Sequence, residues 1–458
     1  MTFEDEIRTA AGRISDADAV TVISHIDADG ISSEAILRQG IARAGIPVKS
    51  VFVRQLEPMT MKKVPEDSTL KVFIDLGAGQ QNLLEERGLS EEEVVIIDHH
   101  VPQNVETPYF QANGLTHGYE KLSAAGIGYF VMRELDEINT DLSKLAVVGN
   151  VGDMMARQTC KLVGPAHEIV EDGVRAGCIS VVEHDLNCYG VSTRPIHTVL
   201  SYCDDPYIPG ISNNMPGAEE FMKRVGVPLR NGRGKWRVWE ELGYEERRAI
   251  ISALAQQLIA GGGHIDRLFA ETYIFPDEEV RTPLRNASEY ATMLNACGRW
   301  AKPEIGSAVC CGDRGRAYSD AEHMLRHHKT IIREMMQYIL DKGVTELSHI
   351  QHLHVGEKFP DTIVGIGAGM ALSKLNWRKP IMILCYMPDD PEFCKISMRT
   401  NERMVQEGVD LQAALLSASE ALGGSGGGHK IAAGAYIPRT KESEFPIRVN
   451  DIIREQLT

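Results

Sequence analysis

The sequence predicts an α/β protein: a parallel-sheet domain at the N-terminal end and a smaller C-terminal α/β domain, joined by a long helix. Three observations predict it. The first 155 residues alternate short β-branched runs with helical stretches. A stripe of Met324, Ile331, Met335 and Ile339 at helical spacing follows. A second alternation of strand-like and helix-like segments begins near residue 345.

Taken in order, the runs Ala19–Ser24, Lys71–Asp75 and Val94–Asp98 are almost continuously apolar. Strands buried on both faces of a parallel sheet read this way. Ile31–Ala44 and Gln80–Arg87 read as helices between them, so the sheet is doubly wound. A fourth run, Leu145–Gly149, fits a strand or a helix. These elements define a first domain over 1–190, with 281–318 expected to pack back on it. Pro195, Pro206, Pro209 and Pro216, with turn clusters at Asn213–Asn214 and Arg230–Gly234, mark 191–280 as an insertion or helical subdomain. A connecting helix is expected over 319–344, centred on Ala321–Leu340. The last domain, 345–458, opens with the apolar run Thr362–Ile366. A helix over Ala368–Leu375, a strand over Pro380–Leu384, a glycine-rich loop at Gly423–His429, a strand and a short helix follow.

Composition narrows the function classes. No run approaches the length a membrane helix needs. The N-terminal segment is charged where a signal peptide is apolar, so a cytoplasmic location is expected. The nine cysteines are scattered and form no CxxC pair, so free thiols are expected, with neither a thiolate zinc site nor a disulfide. A formal net charge of −16 argues against broad binding to duplex nucleic acid. A narrow basic groove for a single strand remains compatible with it.

The chemistry lies where the apolar runs end. In open α/β sheets, ligands collect beyond the carboxyl ends of the strands. The first run leads into His25-Ile26-Asp27-Ala28-Asp29-Gly30, the second ends at Asp75, the third at Asp98-His99-His100. The fourth leads into Gly152-Asp153. At roughly 4 Å and an effective dielectric of 20, each like-charged pair costs about 4 kcal/mol. No Lys or Arg stands within these motifs, so divalent cations are the simplest counter-charge. Mixed Asp and His donors suit Mn²⁺, and Mg²⁺ also. Four Asp and two His can hold two ions with one carboxylate shared, the arrangement that serves in-line displacement at phosphorus.

A second constellation lies near the C-terminus. Lys395–Arg399 reads as a strand with Ser397 and Arg399 on one face. Gly426-Gly427-Gly428-His429, followed by Ala432-Ala433-Gly434, reads as a loop whose bare backbone admits an anion. The similar Gly261-Gly262-Gly263-His264 lacks the small residues that follow and reads as structural.

Together these motifs resemble those of the DHH phosphoesterases, and the Gly426–Gly434 stretch resembles the signature of the DHH-associated nucleic-acid-binding domain. Leu294-Asn295-Ala296-Cys297-Gly298-Arg299 is similar to the Asn-Ala-x-Gly-Arg stretch of RecJ-type exonucleases, in wording closest to the archaeal RecJ-like, GINS-associated group. The resemblance implies two Mn²⁺ ions (or Mg²⁺), one on His25, Asp27 and Asp75 and the other on Asp29, Asp75, His99 and Asp153. It implies that Asp98 orients the histidines and that His100 contacts the scissile phosphate. It implies substrate contacts from Arg399, Ser397, Gly427, Gly428, His429, Asn295 and Arg299. Single-stranded DNA or RNA would be the substrate, GINS and other replisome proteins candidate partners, and replication or repair the setting. Bacterial RecJ tends to carry Asp where His25 stands, which leaves metal preference open. With only a short stretch after Gly434, the further OB-fold domain of bacterial RecJ is not expected. Two rival readings share the motifs: hydrolysis of very short oligoribonucleotides or cyclic dinucleotides, and a replisome scaffold.

Overall fold

The computed structural model describes residues 1–58, 60–104, 109–203, 205–372, 374–387 and 390–457. The chain divides into two compact units, 1–324 and 325–458.

The first unit is built on a five-stranded parallel sheet of order β2-β1-β3-β4-β5. Its strands are β1 (Val20–Ser24), β2 (Val48–Phe52), β3 (Leu70–Ile74), β4 (Val94–Asp98) and β5 (Phe110–Asn113). Every residue of β1, β3 and β4 is buried, which is why these segments are so continuously apolar in sequence. The order reverses between β1 and β3, because the chain runs outward to β2 before returning. Register pairs Ser24 with Ile74 and Ile74 with Ile97. The segments that leave β1, β3 and β4 therefore emerge together at this switch point, where ligands gather in such sheets. The ambiguous run at 145–149 is helical, within Ser143–Gly152, and packs beside the helices Ala28–Arg43 and Ala124–Leu135.

Farther along, β6 (Ser180–Leu186) and β7 (Phe269–Ile274) pair antiparallel as a separate two-stranded sheet. Between them the helices Ile196–Tyr202, Met215–Val225 and Tyr244–Ala260 close over their own core, with Leu200, Phe221, Trp239 and Leu254 fully buried. One expectation fails here: Cys188 and Cys203 form a disulfide. Their Cα atoms stand 5.3 Å apart because this small core folds a 15-residue stretch back on itself, which no spacing motif advertises.

The helix expected near 321–340 runs from Arg316 to Lys342. Met335 and Ile339 are buried in the second unit. That unit holds a six-stranded sheet of order β12-β13-β11-β10-β9-β8. The strands are β8 (Thr345–Glu346), β9 (Gln351–His354), β10 (Ile381–Met387), β11 (Asp390–Arg399), β12 (Ser425–His429) and β13 (Ala432–Pro438). Both faces are covered. Ile381, Ile383 and Cys385 enter one core with Met335 and Ile339, while Met382 and Leu384 enter the other with Leu411 and Phe445.

Two local readings change. Thr362–Ile366 lies inside the helix Asp361–Leu372, which starts before the expected Ala368; so short an apolar run has no period to tell helix from strand. Most of the glycine-rich segment, Ser425–His429, is an edge strand, not a loop. A Cβ on Gly426 would lie 2.7 Å from Ser419 Oγ and 2.9 Å from the Leu415 carbonyl. Glycine is needed there so that the helix Leu411–Glu420 can lie against β12.

Candidate metal centre

Each acidic motif is held by backbone groups before any ligand enters. Ser24 Oγ donates to the Gly30 carbonyl at 2.7 Å, folding the segment after β1 back on itself. Asp27 caps the helix Ala28–Arg43, its Oδ1 accepting the Gly30 N–H at 3.0 Å. Asp29 sits in the first turn, almost fully buried, and its two oxygens accept the Ala124 and Ala125 N–H groups at 2.9 and 3.0 Å. Those amides open the helix Ala124–Leu135, whose dipole favours a carboxylate. Asp75 follows β3 with φ 61°, a conformation costly for a residue with a Cβ. Asp153 is the C-cap of Ser143–Gly152.

Asp98 has a different part. Its Oδ1 accepts the His99 N–H at 2.8 Å, the His100 N–H at 3.2 Å and the His100 ring Nδ1–H at 2.8 Å. Its Oδ2 accepts the Ala78 N–H at 2.9 Å. With those bonds made, Asp98 aims both histidines and leaves the exposed His100 ring to present Nε2 outward.

The structure brings the six predicted ligands together in two overlapping groups. His25 Nδ1 lies 3.1 Å from Asp27 Oδ1 and 3.4 Å from Asp75 Oδ2. His99 Nε2 lies 3.3 Å from Asp75 Oδ1, 3.5 Å from Asp153 Oδ2 and 3.9 Å from Asp29 Oδ2. Asp75 thus turns one oxygen to each group. Within each set, His25–Asp27–Asp75 and Asp29–His99–Asp153, the ligand atoms fall within 4.8 Å of one another.

The donor set fits divalent cations. Asp75 Oδ2 and His99 Nε2 are buried and lack a hydrogen-bond partner, a costly state unless a ligand completes it. Electrostatics agree. Burial alone would lower the His99 pKa, but Asp75, Asp29 and Asp153 overturn that and raise it to about 10. His25 is likewise raised against its burial, by Asp27 and Asp75. Burial lifts Asp29, with Asp75 adding to it, and lifts Asp153 to about 6. Protons thus take the place that positive charge would fill.

The other predicted residues occupy two places. Asn295 and Arg299 lie on the helix Ala287–Arg299. Asn295 Oδ1 accepts the Ala28 N–H at 3.0 Å. A Cβ on Gly298 would lie 1.8 Å from the Ile26 carbonyl, so only glycine lets this helix touch the acidic segment. Burial pulls the Arg299 guanidinium pKa down while Asp27 opposes it, so Arg299 also borders the centre. In the second unit, register aligns Arg399 with Ala432 and His429, and Ser397 with Gly434 and Gly427. Ser397, Arg399, Gly427 and His429 therefore share one sheet face, and open space lies where Gly427 would carry a Cβ. Gly428 faces the other way, with φ 130°.

Sequence reading missed three supports: Asn113 Nδ2, which donates to the His100 carbonyl at 2.9 Å; the amides of Ala124 and Ala125; and Asn295 as a brace of the acidic segment. The Asn295 motif was visible, but its backbone partner lies 267 positions away.

Known proteins bear on this geometry. Residues 19–150 match the DHH family N-terminal domain, 188–269 the DHH-CID domain and 349–455 the DHHA1 domain. An uncharacterized protein of Methanocaldococcus jannaschii is 28% identical over 96% of this chain and 94% of its own. The single-stranded-DNA-specific exonuclease RecJ of Thermus thermophilus is 30% identical, over 32% of this chain and 25% of that protein. A crystal structure of exonuclease RecJ bound to manganese superposes with a TM-score of 0.62 at 18% identity, covering 98% of this chain and 94% of that one. Among the described residues, no helix is long and apolar enough to cross a membrane.

Proposed function

This chain belongs to the DHH superfamily and is RecJ-like, and from that premise we propose that it is a metal-dependent exonuclease acting on single-stranded DNA or RNA. The observation that carries the reading is Asp75, buried and strained, with one oxygen turned to each of two ligand groups.

His25, Asp27 and Asp75 would hold one cation, and Asp29, Asp75, His99 and Asp153 the other, with Mn²⁺ or Mg²⁺ suited to these oxygen and imidazole donors. Bound there, such ions supply Lewis-acid charge at phosphorus and acidify water near neutral pH. The chain's own groups do the rest. Asp98 fixes the His100 ring through Nδ1, so Nε2 can donate to a phosphate oxygen as charge develops on it. Asn295 and Gly298 keep the segment 26–28 in place, so the ligands are preorganised. In the second unit, Arg399 and His429 would bind a phosphate over the bare floor of Gly427 and Gly434. A replication or repair role, with GINS or other replisome proteins as partners, belongs to this same reading.

The test is digestion of end-labelled DNA and RNA oligonucleotides with Mn²⁺. Mononucleotides should be released from single strands, and Asp75→Ala or excess EDTA should abolish release. Full activity in either condition would refute the proposal. Strong preference for two to five nucleotides would favour an oligonucleotidase instead.

A further inference from the structure

An overall acidic protein that holds a polyanion needs a local patch of opposite sign. The chain has 48 basic and 64 acidic residues, yet Phe221–Trp239 contains Lys223, Arg224, Arg230, Arg233, Lys235 and Arg237 and no acid. Its second half forms a tight hairpin, with Arg230 bridged antiparallel to Trp236.

The hairpin is rigid. Asn231 N–H donates to the Lys235 carbonyl at 2.9 Å, and Asn231 Oδ1 accepts the Arg233 and Lys235 N–H groups at 3.0 and 3.1 Å. Gly234 turns the chain with φ 74°. Trp236 is clamped between the Arg230 guanidinium, 3.7 Å from its ring centre, and the His197 ring at 4.6 Å. Arg237 is spent on a two-pronged pair with Glu246, at 2.7 and 2.6 Å. Arg281 donates to the Trp236 carbonyl at 2.8 Å and pairs with Glu241, tying the hairpin's base to the segment that leads into the helix carrying Asn295.

Arg233 and Lys235 are left at the tip, both exposed. Among the described residues no carboxylate lies within ion-pair distance of either. Two exposed cations on a braced turn, without a carboxylate partner, suit a polyanion such as a nucleic-acid strand.

We propose that the 230–237 hairpin is a second contact for the substrate strand, in which Arg233 and Lys235 bind backbone phosphates outside the metal centre, without reading sequence. This rests on the proposed nuclease activity for its substrate class. Hydrolysis of substrates too short to reach the hairpin should not depend on it.

The test is binding of fluorescein-labelled dT30 and U30 to the full chain in EDTA, across a salt series. Each phosphate contact on a single strand contributes about 0.7 to the slope of log affinity against log salt. Arg233→Gln/Lys235→Gln should lower that slope by about 1.4 and weaken binding roughly 25-fold at 0.1 M salt. A control with the same charge change elsewhere, Arg8→Gln/Lys63→Gln, should stay within about twofold. Hydrolysis of a dinucleotide by the hairpin variant should match that of the unaltered protein. Unchanged binding in the hairpin variant, or equal loss in the control, would overturn the proposal. If no substrate is cut but the hairpin variant still binds more weakly, the nuclease reading fails and the hairpin contact stands.

Discussion

His99 in the first unit and His354 in the second are both imidazoles set against a carboxylate, 3.3 Å from Asp75 and 3.2 Å from Glu442. Each belongs to a compact group of potential ligands, the second being His354, Cys394 and Glu442. Their surroundings differ. His99 Nε2 and Asp75 Oδ2 are buried without a hydrogen-bond partner. His354 has a use for both ring nitrogens: Nδ1 accepts the Gly356 N–H at 3.0 Å, which leaves the proton on Nε2, facing Glu442. The Cys394 thiol donates to the Cys385 carbonyl at 3.3 Å, and burial, chiefly, holds its pKa up near 12. Proximity is thus common to both groups, and among the described residues only the first keeps buried donor atoms unspent.

The sharpest way to break this contrast is at Asp75. Asp75→Ala removes an oxygen from both ligand groups, so bound Mn²⁺ should fall to background and hydrolysis by about a thousandfold or more, beyond the 10- to 100-fold typical of outer partners. Elemental analysis after gel filtration reads the first quantity. Stoichiometric Mn²⁺ on that variant would show that the two groups do not share this carboxylate.

The next effect is pH. In the metal-free protein His25 and His99 are both raised, His99 to about 10, so across neutral pH they hold protons that a cation must expel. Affinity for Mn²⁺ should thus rise with pH, by up to about a hundredfold per unit where two protons leave together. Below about pH 6 Asp153 also takes up a proton, and the dependence steepens. Calorimetry in buffers of different ionisation enthalpy would count the protons released. A flat profile from pH 6 to 8 would mean that the two rings are not the ligands.

A smaller loss is expected at Asp98. Asp98→Asn keeps the shape but replaces one accepting oxygen with an NH₂ group, which must face either the Ala78 N–H or the His99 and His100 donors and can accept from neither. Activity should drop roughly 10- to 100-fold, mostly in kcat, while Mn²⁺ content stays near that of the unaltered protein. Loss of metal with it would make Asp98 a direct ligand.

These effects bear on how much could be read from sequence alone. The site-bearing strands of the first unit were legible because β1, β3 and β4 are buried on both faces and each ligand lies within a few positions of a strand or helix end, whereas the partly exposed β2 and β5 carry no such run. Asp75 and Asp98 could be placed from Lys71–Asp75 and Val94–Asp98 alone. Spacing could not reveal that Asp29 is gripped by amides 95 and 96 positions away, or that Asn295 braces Ala28. The Gly423–His429 segment was misread because glycine runs signal loops unless a neighbouring helix makes glycine a packing requirement, as Ser419 and Leu415 do at Gly426. The Cys188–Cys203 pair and the His354 group leave no local pattern, since folding alone brings their members together.

The smallest effect sharpens the contrast from the other side. His354→Ala removes the acceptor for the Gly356 N–H and the partner of Glu442, both near the surface, with 29% of the His354 side chain and 32% of Glu442 exposed. Water can replace part of what is lost, so the cost should be about 1 kcal/mol, seen as a modest fall in the denaturant midpoint. Mn²⁺ content and its pH dependence should not move, because nothing in that group is unspent. A fall in bound metal in His354→Ala, with the stability unchanged, would show that a filled hydrogen-bond set does not exclude a cation and would remove the physical basis for separating the two clusters.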